Sequence, residues 1–386
     1  MTTAAMDISS TDTLTAAGTP IRVLLAAGGT GGHVYPAIAI ADAVKKMHPS
    51  AEILFVGTRD RMEWQTVPKA GYEIRSIWIS AFHRRLTPQN LLFPVKLSVS
   101  LIQSYSILNS FAPDVVVACG GFASGPIGWV ASKMNIPVVL QEQNSYPGVT
   151  NRMLAKHAAA IFTAFEQAEE HLPGDKVILS GNPVRKRLSA VSKEESLEMF
   201  GFSGSKKVLL VLGGSGGARA INSAMKENLE ELHDCLDLQI IWQCGEKYHS
   251  ELSSELENKD YPNLRLLPYI DNMPAAYGSA DLVLTRAGAS TCSELMLLGM
   301  PAILVPSPNV AGNHQAKNAS AMVQAGAAEE LREENLSENL SQVIKKRIFD
   351  DEALTEMRKA MKSLARPDAA KVIAKEIFTL AGKETQ

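Results

Sequence analysis

RVLLAAGGTGG at residues 22–32 returns as KVLLVLGGSGG at residues 207–217, identical at seven of eleven positions, with Arg/Lys and Thr/Ser exchanges besides. Each copy is an apolar run leading straight into a glycine turn, as a buried parallel strand does before a helix. One such unit is weak evidence, because a close strand-to-helix turn needs glycine whatever it binds. Two of them opening the two halves of a 386-residue chain predict paired Rossmann-like domains.

Outward from these units the rhythm continues. Short β-rich runs at 22–27, 53–56, 115–118, 138–141 and 160–163 alternate with stretches long enough for crossover helices. Runs at 208–212, 239–244, 264–267, 282–285 and 302–305 repeat the pattern. The fold class is therefore α/β with two parallel sheets, and the length exceeds the ~250–300 residues at which single cores stop growing. Residues 1–20 read as a loose tail, 21–183 as the N-terminal domain, 184–366 as the C-terminal domain, and 367–386 as a closing helix of unassigned domain. Val372, Ile373, Ile377 and Phe378 share one face of that helix at the α-helical period.

Composition narrows the function classes. A net charge of −3 exerts no overall pull on nucleic acid, so an anionic ligand must be held by a local site. Cys119, Cys235, Cys244 and Cys292 form no C-x-x-C pair, which suits reduced thiols in a cytosolic protein. The N-terminal residues lack the basic start and apolar run of a signal peptide. The charge-free stretch 115–132 contains four glycines and Pro126 and reads as strand, turn and helix, not as a membrane span.

GGTGGHVYP at 28–36 precedes a helical run and brings backbone N–H groups to a helix N-terminus. It is no dinucleotide fingerprint: Val34 stands where the third glycine belongs, and the next strand ends Phe55-Val56-Gly57 without a ribose-gripping acid. No Gly-Lys-Ser/Thr follows, so it is no P-loop either. A third turn, TRAGASTCSELMLLGMP at 285–301, opens a helix with Glu294 in its first turns. Two readings of Glu294 stand: a carboxylate that takes vicinal ribose hydroxyls while the helix N-terminus holds phosphate, or an acid that complements its own helix.

GGTGGH at 28–33, GGFASGP at 120–126, QEQN at 141–144, GNPVR at 181–185, GGSGGAR at 213–219, RAGASTCSE at 286–294 and HQAKNA at 314–319 occur in one order. With these motifs the chain resembles the MurG glycosyltransferases from about residue 21 to near its end. The resemblance implies a GT-B fold, two Rossmann-like domains facing across a cleft. It also implies inverting transfer of GlcNAc from UDP-GlcNAc to the C4 hydroxyl of MurNAc in lipid I, forming the peptidoglycan precursor lipid II, with no cofactor. By motif, Thr30, Gly31 and Gly32 would line the sugar and acceptor side of the cleft, and Asn144 would reach the GlcNAc. Arg185 and Ser215 would contact the diphosphate region, and Ile270 would offer backbone to uracil. Ala289, Ser290, Thr291, Cys292, Ser293 and Glu294 would hold phosphate and ribose. Gln315 would bond sugar hydroxyls, although His314-Gln315 stands where the family can carry Gln-Gln, which leaves open which of the two faces the sugar.

Such a transfer needs a base for the acceptor hydroxyl and a cradle for the departing diphosphate. His33, directly after the glycine turn, is the first candidate base, with a substrate-positioning histidine as the alternative. Glu142 is a second candidate, read more readily as an acid that orients its neighbours. No Asp-x-Asp pair occurs, so no metal is expected to bridge the diphosphate. FHRRLTPQNLLFPVKL at 82–97 places Arg84, Arg85 and Lys96 around Leu91, Leu92 and Phe93, suited to an anionic membrane surface; a buried helix with a solvated basic end is the competing reading. The expected location is peripheral, on the cytoplasmic face of the membrane. A UDP-GlcNAc epimerase or related GT-B enzyme is the nearest alternative activity, and a non-catalytic nucleotide-sugar sensor the alternative from another class.

Overall fold

The computed structural model describes residues 20–80, 91–184, 191–202, 204–214, 216–257 and 259–383. Two parallel sheets organise it. The first contains β1 (Arg22–Ala26), β2 (Glu52–Gly57), β3 (Glu73–Ser76), β4 (Val115–Ala118), β5 (Val138–Glu142), β6 (Ala160–Thr163) and β7 (Val177–Leu179), in the order β3-β2-β1-β4-β5-β6-β7. The second contains β8 (Lys207–Leu212), β9 (Leu238–Gln243), β10 (Leu264–Leu267), β11 (Leu282–Thr285), β12 (Ala302–Leu304) and β13 (Ala328–Glu330), in the order β10-β9-β8-β11-β12-β13. The second is the 3-2-1-4-5-6 order of the doubly wound fold, and the first is that order with one strand added. The architecture is a pair of Rossmann-like domains, as the repeated glycine unit implies, in the GT-B arrangement that the resemblance implies.

Burial on both faces explains why the strands are continuous apolar runs. Along β1, Val23 and Leu25 enter one core layer while Leu24 and Ala26 enter the other. Along β8, Val208 and Leu210 alternate with Leu209 and Val211 in the same way. The period of two places successive side chains on opposite faces, and helices cover both.

The helices that frame the site and carry its context are α1 (Gly31–Met47), α2 (Glu63–Lys69), α3 (Phe93–Phe111), α4 (Ser124–Lys133), α5 (Arg219–His233), α6 (Ala289–Leu298), α7 (His314–Gln324) and α8 (Ala369–Leu380). The closing helix α8 returns to the N-terminal sheet, where Ile373, Ala374, Ile377 and Phe378 join the layer formed by β1 and α1. Burying the last two side chains contributes about 1.5–3 kcal/mol each. Val372, expected on that face, is 38% exposed, and Ala374 takes its place. The chain crosses between domains twice, and the crossings touch: Gly181, at φ +83°, lies so close to Arg366 that an added Cβ would sit 2.3 Å from the arginine Cβ.

β3, β7 and β13 have no counterpart among the expected strands. They are short edge or near-edge strands whose residues are only partly buried or carry charge, such as Glu73, Arg75, Glu329 and Glu330.

Candidate active site

In each sheet the strand order reverses between the first strand and its neighbour on the other side, β1 with β4 and β8 with β11. Crevices open at the carboxyl ends of the strands at such points. The first holds the turns 27–30 and 119–123; the second holds 213–214, 216–218 and 286–288.

The glycines of the first crevice allow two turns to pack face to face. Gly121, at φ +80°, lies against Gly28, where an added Cβ would meet the Gly28 carbonyl oxygen at 2.1 Å. Thr30 then starts α1 in extended conformation, but its hydroxyl lies 3.2 Å from His33 Nδ1 and caps no backbone N–H. The first-turn N–H groups of Gly31 and Gly32 are thus left without a side-chain cap.

His33 Nδ1 lies 3.1 Å from the Gly28 carbonyl oxygen. A carbonyl only accepts, so Nδ1 carries the proton and the neutral ring presents its lone pair at Nε2. That edge faces Gly120, at φ +94°, where an added Cβ would stand 3.1 Å from Nε2. Burial lowers the His33 pKa below its ordinary value, while Glu142 and the Gly28 hydrogen bond act in the opposite direction. His314, at the start of α7 in the other domain, also lowers it, which places the two imidazoles within electrostatic reach across the cleft.

Glu142 is buried, and both its oxygens are engaged. Oε1 accepts from Asn144 N at 3.0 Å and Asn144 Nδ2 at 3.1 Å; Oε2 accepts from Gly148 N at 2.9 Å and Asn151 Nδ2 at 2.8 Å. Four donors fill the roughly four lone-pair positions of a carboxylate, so Glu142 shapes the loop after β5. A second acid, absent from the sequence reading, holds the glycine turn itself. Glu63, fully buried at the start of α2, accepts from Gly29 N at 3.2 Å, Thr58 N at 3.1 Å and Thr58 Oγ1 at 2.9 Å. The acid sought at the end of β2 comes six residues after Gly57 and grips backbone where a dinucleotide-binding protein would grip ribose.

In the second domain Gly288 precedes α6 with no side chain to cap it, so the helix N-terminus offers unfilled donors to an anion. Ser290 Oγ, in that first turn, is buried with no hydrogen-bond partner among the described residues. Ser293 Oγ is turned back onto the Ala289 carbonyl at 2.8 Å, and Cys292 packs into the core with its thiol pKa pushed up to about 12 by burial. Of the run 289–294, then, Ser290, Thr291 and Glu294 keep side chains on the half-buried side of the helix, while Ala289, Cys292 and Ser293 face inward. Glu294 Oε2 accepts from the Tyr277 hydroxyl at 3.0 Å, and burial beside that carboxylate raises the phenol pKa far above its usual value.

Ile270 is buried in the core, so only its backbone is placed to serve a ligand. Gln315 Oε1 accepts from Ser307 N at 2.8 Å and ties down the preceding loop. Arg185 and Ser215 lie outside the described residues, as do Arg84 and Arg85.

Comparison with known proteins matches this two-part site to a two-part family. The glycosyltransferase family 28 N-terminal domain matches residues 23–163, and the family 28 C-terminal domain matches residues 208–373. The chain belongs to glycosyltransferase family 28. Within that family it is 45% identical over 362 residues to the UDP-N-acetylglucosamine–N-acetylmuramyl-(pentapeptide) pyrophosphoryl-undecaprenol N-acetylglucosamine transferase of Christiangramia forsetii, covering 93% of this chain and 98% of the relative. The same-named transferase of Salinibacter ruber is 42% identical over 362 residues, covering 94% and 97%. Among solved structures, Acinetobacter baumannii MurG superposes with a TM-score of 0.76 at 28% identity, covering 93% of this chain and all of that one. The family 28 boundaries place the His33 turn in the N-terminal match and the α6 turn in the C-terminal match.

Proposed function

We propose that this family 28 chain transfers GlcNAc from UDP-GlcNAc to the C4 hydroxyl of MurNAc in lipid I, with inversion, to form lipid II. The observation that carries the reading is the pairing of two unlike crevices in one cleft. One presents an imidazole whose Nδ1 is committed to the Gly28 carbonyl, leaving Nε2 as a base. The other presents an uncapped helix N-terminus with the unpartnered Ser290 hydroxyl, suited to a departing diphosphate. Relatives of 42–45% identity bearing the same transferase name supply the substrates. In the test, labelled GlcNAc passes from UDP-GlcNAc to a short-chain lipid I analogue. A β-linked disaccharide product is expected, and epimerised donor without transfer would refute the reading.

Within this reading His33 is the base, Glu142 and Glu63 fix the loops around it, and Glu294 holds the ribose. Helix α6 and Arg185 carry the diphosphate charge in place of a metal ion.

The same reading puts the enzyme on an anionic membrane surface at the cytoplasmic face. No helix among the described residues is long and apolar enough to cross a bilayer. Leu91 is 81% and Leu92 53% exposed at the start of α3, which argues against a buried helix there. Val95, Ile102 and Tyr105 are exposed at helical spacings that put them on one face of α3, opposite the buried Ser100, Ser104 and Ile107. Lys96 and Lys133 sit over the exposed rings of Trp78 and Trp129, each 5.7 Å from the centroid, so cations and aromatic faces border the apolar stripe. That combination favours the headgroup boundary of anionic lipid.

A further inference from the structure

Asn318 sits on α7 one helical turn after His314 and is completely buried, yet most of its hydrogen bonds leave its own domain. Its Oδ1 accepts from Ser145 N at 2.9 Å and Ser145 Oγ at 3.0 Å. Its Nδ2 donates to Asn144 Oδ1 at 3.3 Å and to the Ala287 carbonyl at 3.2 Å. A carboxamide has two lone pairs and two N–H groups, so all four positions are filled. Three of the four bonds reach the loop after β5 in the N-terminal domain; the fourth reaches the turn that leads into α6. Beside it the Lys317 ammonium stands over the Tyr146 ring, 3.0 Å from the centroid, a second contact between the same helix and the same loop.

We infer that Asn318 is the clasp that holds the cleft closed and sets the donor turn against the loop beside His33. The same loop is shaped from below by Glu142, which binds Asn144 N and Nδ2. The Asn144 carboxamide is thereby fixed at both ends, its nitrogen by Glu142 and its oxygen by Asn318. A shift of the turn 286–288 therefore acts directly on the loop that carries Asn144, through one side chain. Asn318 is a positioning residue, because protein groups take all four of its hydrogen-bonding positions.

The isosteric change Asn318→Asp tests this without emptying the site. It keeps the acceptor for Ser145 but turns the other two contacts, Asn144 Oδ1 and the Ala287 carbonyl, into oxygen facing oxygen. An acid within the first turns of a helix is favourable to the helix itself, so α7 is not undermined. Small-angle scattering of the full chain should show a larger radius of gyration for Asn318→Asp than for the parent, with and without saturating UDP. The variant should lose about tenfold to a hundredfold in acceptor kcat/KM, the range set by turning the one lost cross-domain bond, to Asn144, into a buried oxygen–oxygen contact, with the Kd for UDP within about twofold. Ser145→Ala should show a weaker loss that is not additive with Asn318→Asp.

Two results would overturn the inference. One is a folded Asn318→Asp protein with parent-like scattering and turnover. The other is parent-like scattering with UDP affinity and turnover falling together, which would make Asn318 a support for the donor turn inside its own domain. The turnover arm rests on the transferase reading, whereas the scattering arm does not, so failure of that activity in the parent leaves the clasp separately testable.

Discussion

Replacing His33 with Asn removes the proposed base and little else. The ring's Nδ1–H bonds the Gly28 carbonyl at 3.1 Å, and an asparagine amide N–H can reach the same acceptor, so the glycine turn keeps its tie. Asn has no group that takes a proton near neutrality, so the lone pair at Nε2 is lost. General-base assistance is worth ~10²–10⁴-fold, and His33→Asn should lower kcat by about that factor with the Kd for UDP unchanged, since the nucleotide site proposed above lies on the other domain. The pH profile separates base from positioning residue. Burial holds the His33 pKa below its ordinary 6.5, so the parent's kcat/KM should rise with pH along a limb centred below that value and be level at neutrality. The same shift affects stability: on acidification the unfolded chain takes this proton first, so the stabilising contribution of the neutral ring is complete above 6.5 and declines as pH falls from there through the lower folded-state pKa. Stopped assays of UDP release from pH 4.5 to 8.5, with fold checked by circular dichroism, read both effects. If His33→Asn keeps the acidic limb and loses only acceptor affinity, the base assignment is wrong.

Three further outcomes follow from the same geometry. Glu294→Ala should weaken UDP binding by about 2–3 kcal/mol by calorimetry, the scale of hydrogen bonds to a charged acceptor; Glu294→Gln, which can still accept from Tyr277, controls for the buried phenol, and parent-like affinity in both would remove the ribose role. Changing Leu91, Leu92 and Val95 together to Ser should reduce sedimentation with anionic liposomes while leaving UDP affinity intact, because all three are exposed; equal binding by variant and parent would reject the membrane stripe. Turnover should survive excess chelator, and a loss restored by magnesium or manganese would show that the α6 N-terminus and Arg185 do not suffice for the diphosphate.

Buried strands were plain in the sequence because they are buried on both faces: 115–118 and 282–285 are short apolar runs bounded by turns, and the structure starts and stops them there. Short edge strands rich in charge have no such signature, which is why Glu73–Ser76 and Ala328–Glu330 have no counterpart among the expected strands, whereas the largely apolar edge strand Leu264–Leu267 does. The repeated glycine unit revealed the two domains but overstated their likeness. In the first copy the helix starts at Gly31, inside the repeat, whereas in the second it starts only at Arg219, beyond it. At the site, residues adjacent to a turn were legible, His33 and Ser290 among them. Glu63 and Asn318 were not, because each acts on a segment distant in the chain: Glu63 reaches back 34 residues to Gly29, and Asn318 reaches 173 residues to Ser145. Sequence offered a faint trace of the second, since Asn318 lies four residues after His314 and so shares its helix face. The closing helix was visible as amphipathic, but only the packing of Ile377 and Phe378 against α1 assigns it to the first domain.

The measurement that bears most directly on the account is UDP release from UDP-GlcNAc by the purified chain, with and without a lipid I analogue. Release that depends on the acceptor, and is matched mole for mole by disaccharide, is the predicted result. Donor binding with no release under any acceptor, or release indifferent to the acceptor, would contradict it.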